Sequence, residues 1–91
     1  MNRDEQFEKL RELLNKENNW PMVYMFKFIV QVDHRKIALI ESFFSSEADI
    51  HTKMSNNGKY ISITAKEVVM SALEIIEVYK KAATIEGVIS L

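Results

Sequence analysis

The sequence predicts an α+β fold in which two helices cover one face of a four-stranded antiparallel sheet. Three observations lead to this prediction. A turn-rich segment, residues 55–60, separates the alternating stretches Asp49–Met54 and Ile61–Glu67 and so marks a β-hairpin. One amphipathic helical stretch precedes the hairpin and another follows it. A further strand pattern lies outside each helix, so the element order is βαββαβ, preceded by one extra helix.

Size and composition limit the classes of function. The 91 residues are 47% hydrophobic and 27% charged, as is typical of one folded domain. A net charge of −1 argues against a nucleic-acid surface, and the absence of cysteine excludes disulfides, thiolate nucleophiles and Cys-ligated metal centres. The N-terminal segment lacks the apolar core of a secretory signal, and no apolar run approaches the roughly 20 residues of a membrane span. We therefore expect a cytoplasmic protein with no membrane association.

The first predicted element is a helix that extends the domain at its N-terminus. Asn2, with a glutamate three residues later, is typical of a helix cap. Trp20-Pro21 ends the helix, because a residue before proline is pushed out of the helical region. We assign residues 1–19 to this extension and residues 20–91 to the domain proper. The apolar side of the helix is left with three destinations: the free sheet face, the sheet edge or another subunit. The candidate interface residues are Phe7, Leu10, Leu14 and Trp20.

The first strand and the second helix follow directly. Met22–Val32 is rich in aromatic and branched residues, and Lys27 lies on the opposite side of the strand from its phenylalanines. The lysine side is therefore expected to face away from the main core. Asp33 can accept hydrogen bonds from the first turn of the next helix. The apolar stripe of that helix consists of Ile37, Ile40, Phe43 and Phe44.

The hairpin and the last helix complete the pattern. Asn56-Asn57-Gly58 supplies residues that tolerate positive φ, as a tight hairpin turn requires. Ser71, with a glutamate three residues on, forms a capping box, and the helix that follows has one apolar and one charged side. Val88–Leu91 is a last short strand. Two interleaved β-α-β units of this kind form the ferredoxin-like arrangement, with both helices on one face of the sheet.

Several short motifs along residues 20–91 resemble one known family. They are Pro21, Tyr24 and Phe26-Lys27 in the first strand, Lys53-Met54-Ser55 and Gly58-Lys59-Tyr60-Ile61-Ser62 in the hairpin, Tyr79 in the last helix, and Gly87-Val88 with Leu91 at the end. In order and spacing they are similar to the YbeD-like family of small bacterial proteins of uncharacterised function, the DUF493 type. The resemblance implies an α/β plait similar to ACT-type regulatory domains, and it implies no catalytic residues.

The first candidate site is the side of the sheet that faces away from the helices. If the phenylalanines of the first strand face the helices, alternation with period two directs the neighbouring side chains the other way. Two ammonium groups, a phenol and two hydroxyls could bind an anionic metabolite or an acidic peptide. Such residues are also the default on a solvated antiparallel face, so both interpretations stay open. The candidate residues are Lys27, Lys53, Tyr60, Ser62 and Thr64.

Single-stranded RNA binding is an alternative use of the same face. The RNA-recognition motif shares this strand order, and residues 58–63 are faintly similar to its third-strand signature. Base stacking there needs two or three aromatic side chains on the open sheet. Tyr60 is alone, because Ser62, Thr64 and Lys27 occupy the neighbouring positions. Together with the net charge, this argues against nucleic acid.

The sequence contains no recognisable set of catalytic residues. His34 and His51 have no partner at metal-ligand spacing, and Ser45-Ser46 lacks the glycine-flanked elbow that activates a serine. The junction of residues 32–35 has no glycine and carries an acid, unlike the anion-cradling loop of acylphosphatase, an enzyme of the same fold. We therefore expect a non-catalytic regulatory or adaptor domain without cofactor or metal. An enzyme with an unrecognised site is the remaining alternative.

The expected partner is an unknown protein or a small effector. Edge strands of the sheet carry unpaired N–H and C=O groups, which invite pairing with another chain. ACT-like domains commonly join side by side, with effectors at the joint. The first helix offers spare apolar area, so the sequence leaves open both a homodimer and packing of that helix within the chain.

Overall fold

The computed structural model describes residues 2–91 as one antiparallel sheet, one face of which is covered by helices. In chain order the elements are α1 (Arg3–Glu17), β1 (Met22–Gln31), α2 (His34–Glu41), β2 (Asp49–Met54), β3 (Tyr60–Val69), α3 (Ala72–Ala82) and β4 (Ile89–Ser90). The predicted order of elements is confirmed. No helix within residues 2–91 has both the length and the apolar character needed to span a bilayer.

The strand order in the sheet is β2-β3-β1-β4, and all neighbours are antiparallel. β1 and β3 pair along ten residues each, and β2 pairs with β3 along six. β4 is much shorter and pairs only with Phe28 and Ile29 of β1. The two longest strands in the middle and the two crossover helices on one side are the features of a ferredoxin-like plait. The predicted fold class is confirmed.

The core lies between the sheet and the helix layer. Phe26 and Phe28 of β1 are completely buried, and their rings lie 5.8 and 6.3 Å from the ring of Tyr79 on α3, measured between centroids. The alternation predicted for β1 and β3 is confirmed, because every buried side chain of these strands lies on the core side. They are Phe26, Phe28, Val30, Ile61, Ile63, Ala65 and Val69. The other core residues, on α2 and α3, include Ile40, Ile75 and Ile76.

Each helix begins where the sequence predicts a capping side chain. The side-chain oxygens of Asn2, Asp33 and Ser71 each accept backbone N–H groups from the first turn that follows. Glu74 completes the third cap by accepting the N–H of Met70 at 2.6 Å. These bonds satisfy N–H groups that a helix cannot pair internally, so they fix the start of each helix.

The hairpin turn differs from the prediction in its backbone. The sequence suggested three residues able to adopt positive φ, but Gly58 alone in this turn has positive φ, at +73°, and no non-glycine residue within residues 2–91 does. The N–H of Ser55 donates to the carbonyl of Tyr60 at 2.8 Å and closes the loop. Asn57 contributes through its side chain, whose oxygen accepts the Ser55 hydroxyl at 2.8 Å. One glycine and one side-chain bridge therefore replace a run of left-handed residues.

The N-terminal helix packs in the helix layer, against α3. Leu14 is buried, and Phe7 and Leu10 are half-buried against the same core. The ammonium nitrogen of Lys80 on α3 lies 5.9 Å from the ring centroid of Phe7. The first of the three destinations left by the sequence is therefore wrong, because α1 does not cover the free face of the sheet.

Candidate functional site

Strand register brings the five predicted face residues together on the side of the sheet opposite the core. Lys27 of β1 lies opposite Thr64 of β3, and Lys53 of β2 lies opposite Ser62 of β3. Tyr60 shares this side, because residues two apart on a strand point the same way. These side chains belong to one continuous surface across three strands, which we call the open face.

Among residues 2–91, few polar contacts involve the side chains of the open face. The Ser62 hydroxyl donates to the backbone carbonyl of Lys53 at 3.3 Å. His51 Nε2 lies 2.9 Å from Asp49 Oδ1, and this exposed contact is an ion pair only when the histidine is protonated. The ammonium groups of Lys27 and Lys53 make no hydrogen bond to another of residues 2–91. They are therefore free to contact a ligand or partner.

An apolar patch occupies one end of the same face. Val23 of β1 lies opposite Val68 of β3, and these side chains are 61% and 59% exposed. Met25, two residues along β1, is 54% exposed and lies opposite Lys66. The sequence interpretation missed this open-face patch (Val23, Met25 and Val68), although the same alternation that placed Lys27 assigns all three to this side. The sign that could have revealed it is apolar residues at positions where an open antiparallel face is usually polar.

A shallow cavity of about 350 Å³ opens at the other end of the face. Three of the predicted residues, Lys53, Tyr60 and Ser62, contribute to its lining. Ile29 and Ile61 contribute apolar surface. The size of this cavity suits a small molecule, and its lining of apolar surface with one cation and two hydroxyls suits an anionic one.

The four predicted interface residues lie away from the open face. Leu14 is buried, and Phe7, Leu10 and Trp20 are half-buried beside the core. Phe7 and Leu10 line a second cavity of about 440 Å³, between α1, α3 and the end of β4. We call this cavity the α1 groove. Its other lining residues include Arg3, Tyr79, Ala83, Ser90 and Leu91.

Two tyrosines from the family motifs meet between the sheet and α3. The hydroxyl oxygens of Tyr24 and Tyr79 lie 2.9 Å apart, and the rings contact edge to face. Burial, and secondly the hydrogen bond to Tyr24, raise the pKa of the Tyr79 phenol well above its ordinary value. Tyr79 is therefore neutral at physiological pH, and the pair joins β1 to α3.

The two histidines lie on different elements. His34 is exposed at the first turn of α2, and His51 is exposed on β2. Within residues 2–91, no group of three or more histidine, aspartate or glutamate side chains is arranged to hold a metal ion.

A family model matches most of the chain. It is described as "Protein of unknown function (DUF493)" and covers residues 15–91, which include all four strands, α2, α3 and the last turn of α1. No curated protein matches the chain, and no solved structure does. The chain therefore belongs to the DUF493 family of proteins of unknown function, the family that its strand and hairpin motifs resemble.

Proposed function

We propose that this protein is a non-catalytic adaptor domain that binds another protein through the open face of its sheet. The observation that carries the proposal is the exposure of Val23, Met25 and Val68. These side chains add nothing to the core. Clustered exposed apolar side chains with a polar rim are a feature of protein-interaction surfaces.

The rim of the patch favours a partner with acidic side chains. Lys66 of β3 lies opposite Met25, and Lys27 lies two residues after Met25 on β1. A partner surface with an apolar centre and flanking carboxylates would complement both the patch and these ammonium groups. A nucleic acid fits less well, because Tyr60 is the sole Phe, Tyr or Trp side chain on the open face within residues 2–91.

The test compares partner capture by the wild-type protein and by the variant Val68→Lys. The control is Leu39→Lys on α2, which changes a side chain that is also exposed, at 47%, on the helix side of the domain. Both substitutions are expected to change the free energy of unfolding by less than about 0.5 kcal/mol, because neither residue is in the core. Proteins retained from a lysate of the source cells are quantified by mass spectrometry.

We expect a defined protein to be retained by the wild type and by Leu39→Lys and to be lost with Val68→Lys. Equal retention by all three would contradict the proposal. A native mass spectrum of each variant is recorded alongside. A homodimer that Val68→Lys dissociates would show that the patch joins two copies of this chain, and this too would contradict an adaptor role.

A second candidate function, the binding of a small anionic effector, is supported by the cavity at Lys53, Tyr60 and Ser62. Its test is the melting temperature of the protein in a panel of phosphate and carboxylate metabolites. A ligand at a hundred times its Kd stabilises the folded state by about 2.7 kcal/mol, and Lys53→Met should abolish that shift. Either no stabilising compound or an unchanged shift in Lys53→Met would exclude this use of the cavity.

A further inference from the structure

We infer that the free edge of β1, beside Val23 and Met25, captures an extended segment of the partner protein as an added strand of the sheet. The inference rests on the proposed function and specifies the form in which the partner binds. Three features of the structure support it: unpaired backbone groups along this edge, an apolar groove beside it, and cationic side chains on both sides of it.

The backbone at this edge lacks a partner strand. β3 pairs with every residue of β1 on one side, but β4 pairs with only two residues on the other. The N–H of Leu91 adds one bond, to the carbonyl of Lys27 at 2.9 Å. In an antiparallel ladder alternate residues form hydrogen bonds with the same neighbouring strand. The N–H and C=O groups of Val23 and Met25, like those of Lys27, therefore point toward the β4 side.

At Val23 and Met25 no strand within residues 2–91 meets those groups on that side. The side chains of both residues are more than half exposed on the open face of the same strand. Unpaired N–H and C=O groups along an exposed edge are a template for strand addition, in which backbone hydrogen bonds hold an extended peptide.

The α1 groove provides a surface that the side chains of such a strand can contact. A strand in line with β4 would place alternate side chains on the open face and on the helix side of the sheet. On the helix side the groove lies at the end of β4 and has an apolar lining from Phe7, Leu10 and Ala83. On the other side, an added strand would lie next to the open-face patch. One extended segment could therefore contact both surfaces.

The charges around this edge favour an acidic segment. Arg3 lines the α1 groove, and Lys27 stands on the open face two residues from Met25. Lys80 lies over the ring of Phe7 at the same groove. The partner segment is therefore expected to be extended, with apolar residues that alternate with aspartate or glutamate.

The test uses a synthetic eight-residue peptide that alternates valine with glutamate, titrated into the full-length ¹⁵N-labelled protein up to 1 mM. Strand addition should shift the amide resonances of Val23 and Met25 and slow their exchange with deuterium by about tenfold or more, because each gains a hydrogen-bond partner. Two matched peptides serve as controls. One has every backbone nitrogen methylated, and the other has lysine in place of glutamate; each should bind at least about tenfold more weakly.

Variants of the protein locate the bound peptide. Ala83→Phe fills the α1 groove, and Arg3→Glu reverses the charge at the groove without changing the core. Each substitution should lower the affinity for the peptide by about tenfold. Leu39→Lys, on α2 and away from this edge, should leave peptide affinity within about threefold. Protection of Val23 and Met25 that is unchanged in both groove variants would contradict the position of the strand.

The outcomes separate this inference from the proposed function. If Val68→Lys abolishes partner capture but the peptide leaves the amides of Val23 and Met25 unprotected, the open face binds a partner and strand addition is wrong. If the peptide protects those amides from exchange but Val68→Lys has no effect on partner capture, strand addition is supported and the proposed contact through the open face is wrong. Equal binding of the methylated peptide, or slow exchange at this edge because a second copy occupies it, would overturn the inference.

Discussion

Phe28 and Met25 lie three residues apart on the same strand, yet the first is completely buried and the second more than half exposed. The same contrast separates Ile63 from Val68 on β3. Both pairs consist of apolar side chains, so the difference comes from what covers each face and not from residue type. The helices cover the two central strands on one face and leave the other face with apolar side chains that add nothing to the core.

The largest effect expected from this contrast is on stability. Phe28→Ala should lower the free energy of unfolding by about 3–5 kcal/mol, because it empties a fully packed site. Met25→Ala, on the same strand, should change it by less than about 0.5 kcal/mol. Urea unfolding followed by circular dichroism measures both. Similar losses in the two variants would mean that both faces are packed against something.

A smaller effect is expected at the hairpin that carries Lys53 onto the open face. Gly58→Val should cost about 1–2 kcal/mol, because a residue with a Cβ resists a φ of +73°. Space is not the cause, since a Cβ built at Gly58 would approach only the Met54 sulfur, at 3.9 Å. Asn56→Val, at a neighbouring position without positive φ, is the matched control. Equal melting temperatures for Gly58→Val and wild type would show that the turn has another conformation in solution.

The tyrosine pair gives a prediction that depends on pH. Tyr79→Phe removes its hydrogen bond to Tyr24 and should cost about 1 kcal/mol at neutral pH. The pKa of Tyr79 is raised in the folded state from an ordinary value of 10.0, so above that pH the unfolded chain loses its proton first. The free energy of unfolding of the wild type should therefore fall as pH rises above 10.0, and Tyr79→Phe should fall less steeply. The exposed Tyr60→Phe is the control, and identical alkaline slopes for Tyr79→Phe and wild type would contradict the burial of this phenol.

The smallest effect on stability is expected where the effect on binding is largest. The double variant Val23→Thr and Val68→Thr keeps β-branched side chains on both strands and removes two exposed methyl groups. Its free energy of unfolding should stay within about 0.5 kcal/mol of wild type, because neither side chain belongs to the core. The protein that the wild type captures should no longer be retained. A loss of several kcal/mol would place these valines in a packed interface within the domain.

Local patterns were enough to predict most of the fold. Capping residues such as Asp33 and Ser71 predicted where helices begin, and alternation around Phe26 and Ile63 predicted which face of each strand is buried. The same alternation placed Lys27 and Thr64 on the open face. These are local properties of the chain, so they are visible in the sequence.

Features that depend on distant contacts were not predicted. Periodicity identified the apolar side of α1 but could not show that it packs against α3. β4 pairs with two residues of β1, so the unpaired groups at Val23 and Met25 are visible in the structure and not in the sequence pattern. The open-face patch was overlooked for another reason. A lysine in the middle of a strand indicates a side that faces solvent, but it does not reveal that apolar residues share that side.

The most direct test of the central claim is the NMR signal of the Met25 methyl group in full-length protein labelled at its methionine methyls. The spectrum is recorded in buffer and after addition of a lysate of the source cells. Met54 is 53% exposed at the edge of the sheet and serves as an internal control of equal exposure. If the open face binds a partner, the Met25 signal should shift and broaden while that of Met54 stays unchanged. An unchanged Met25 signal, or equal broadening of both, would contradict the account.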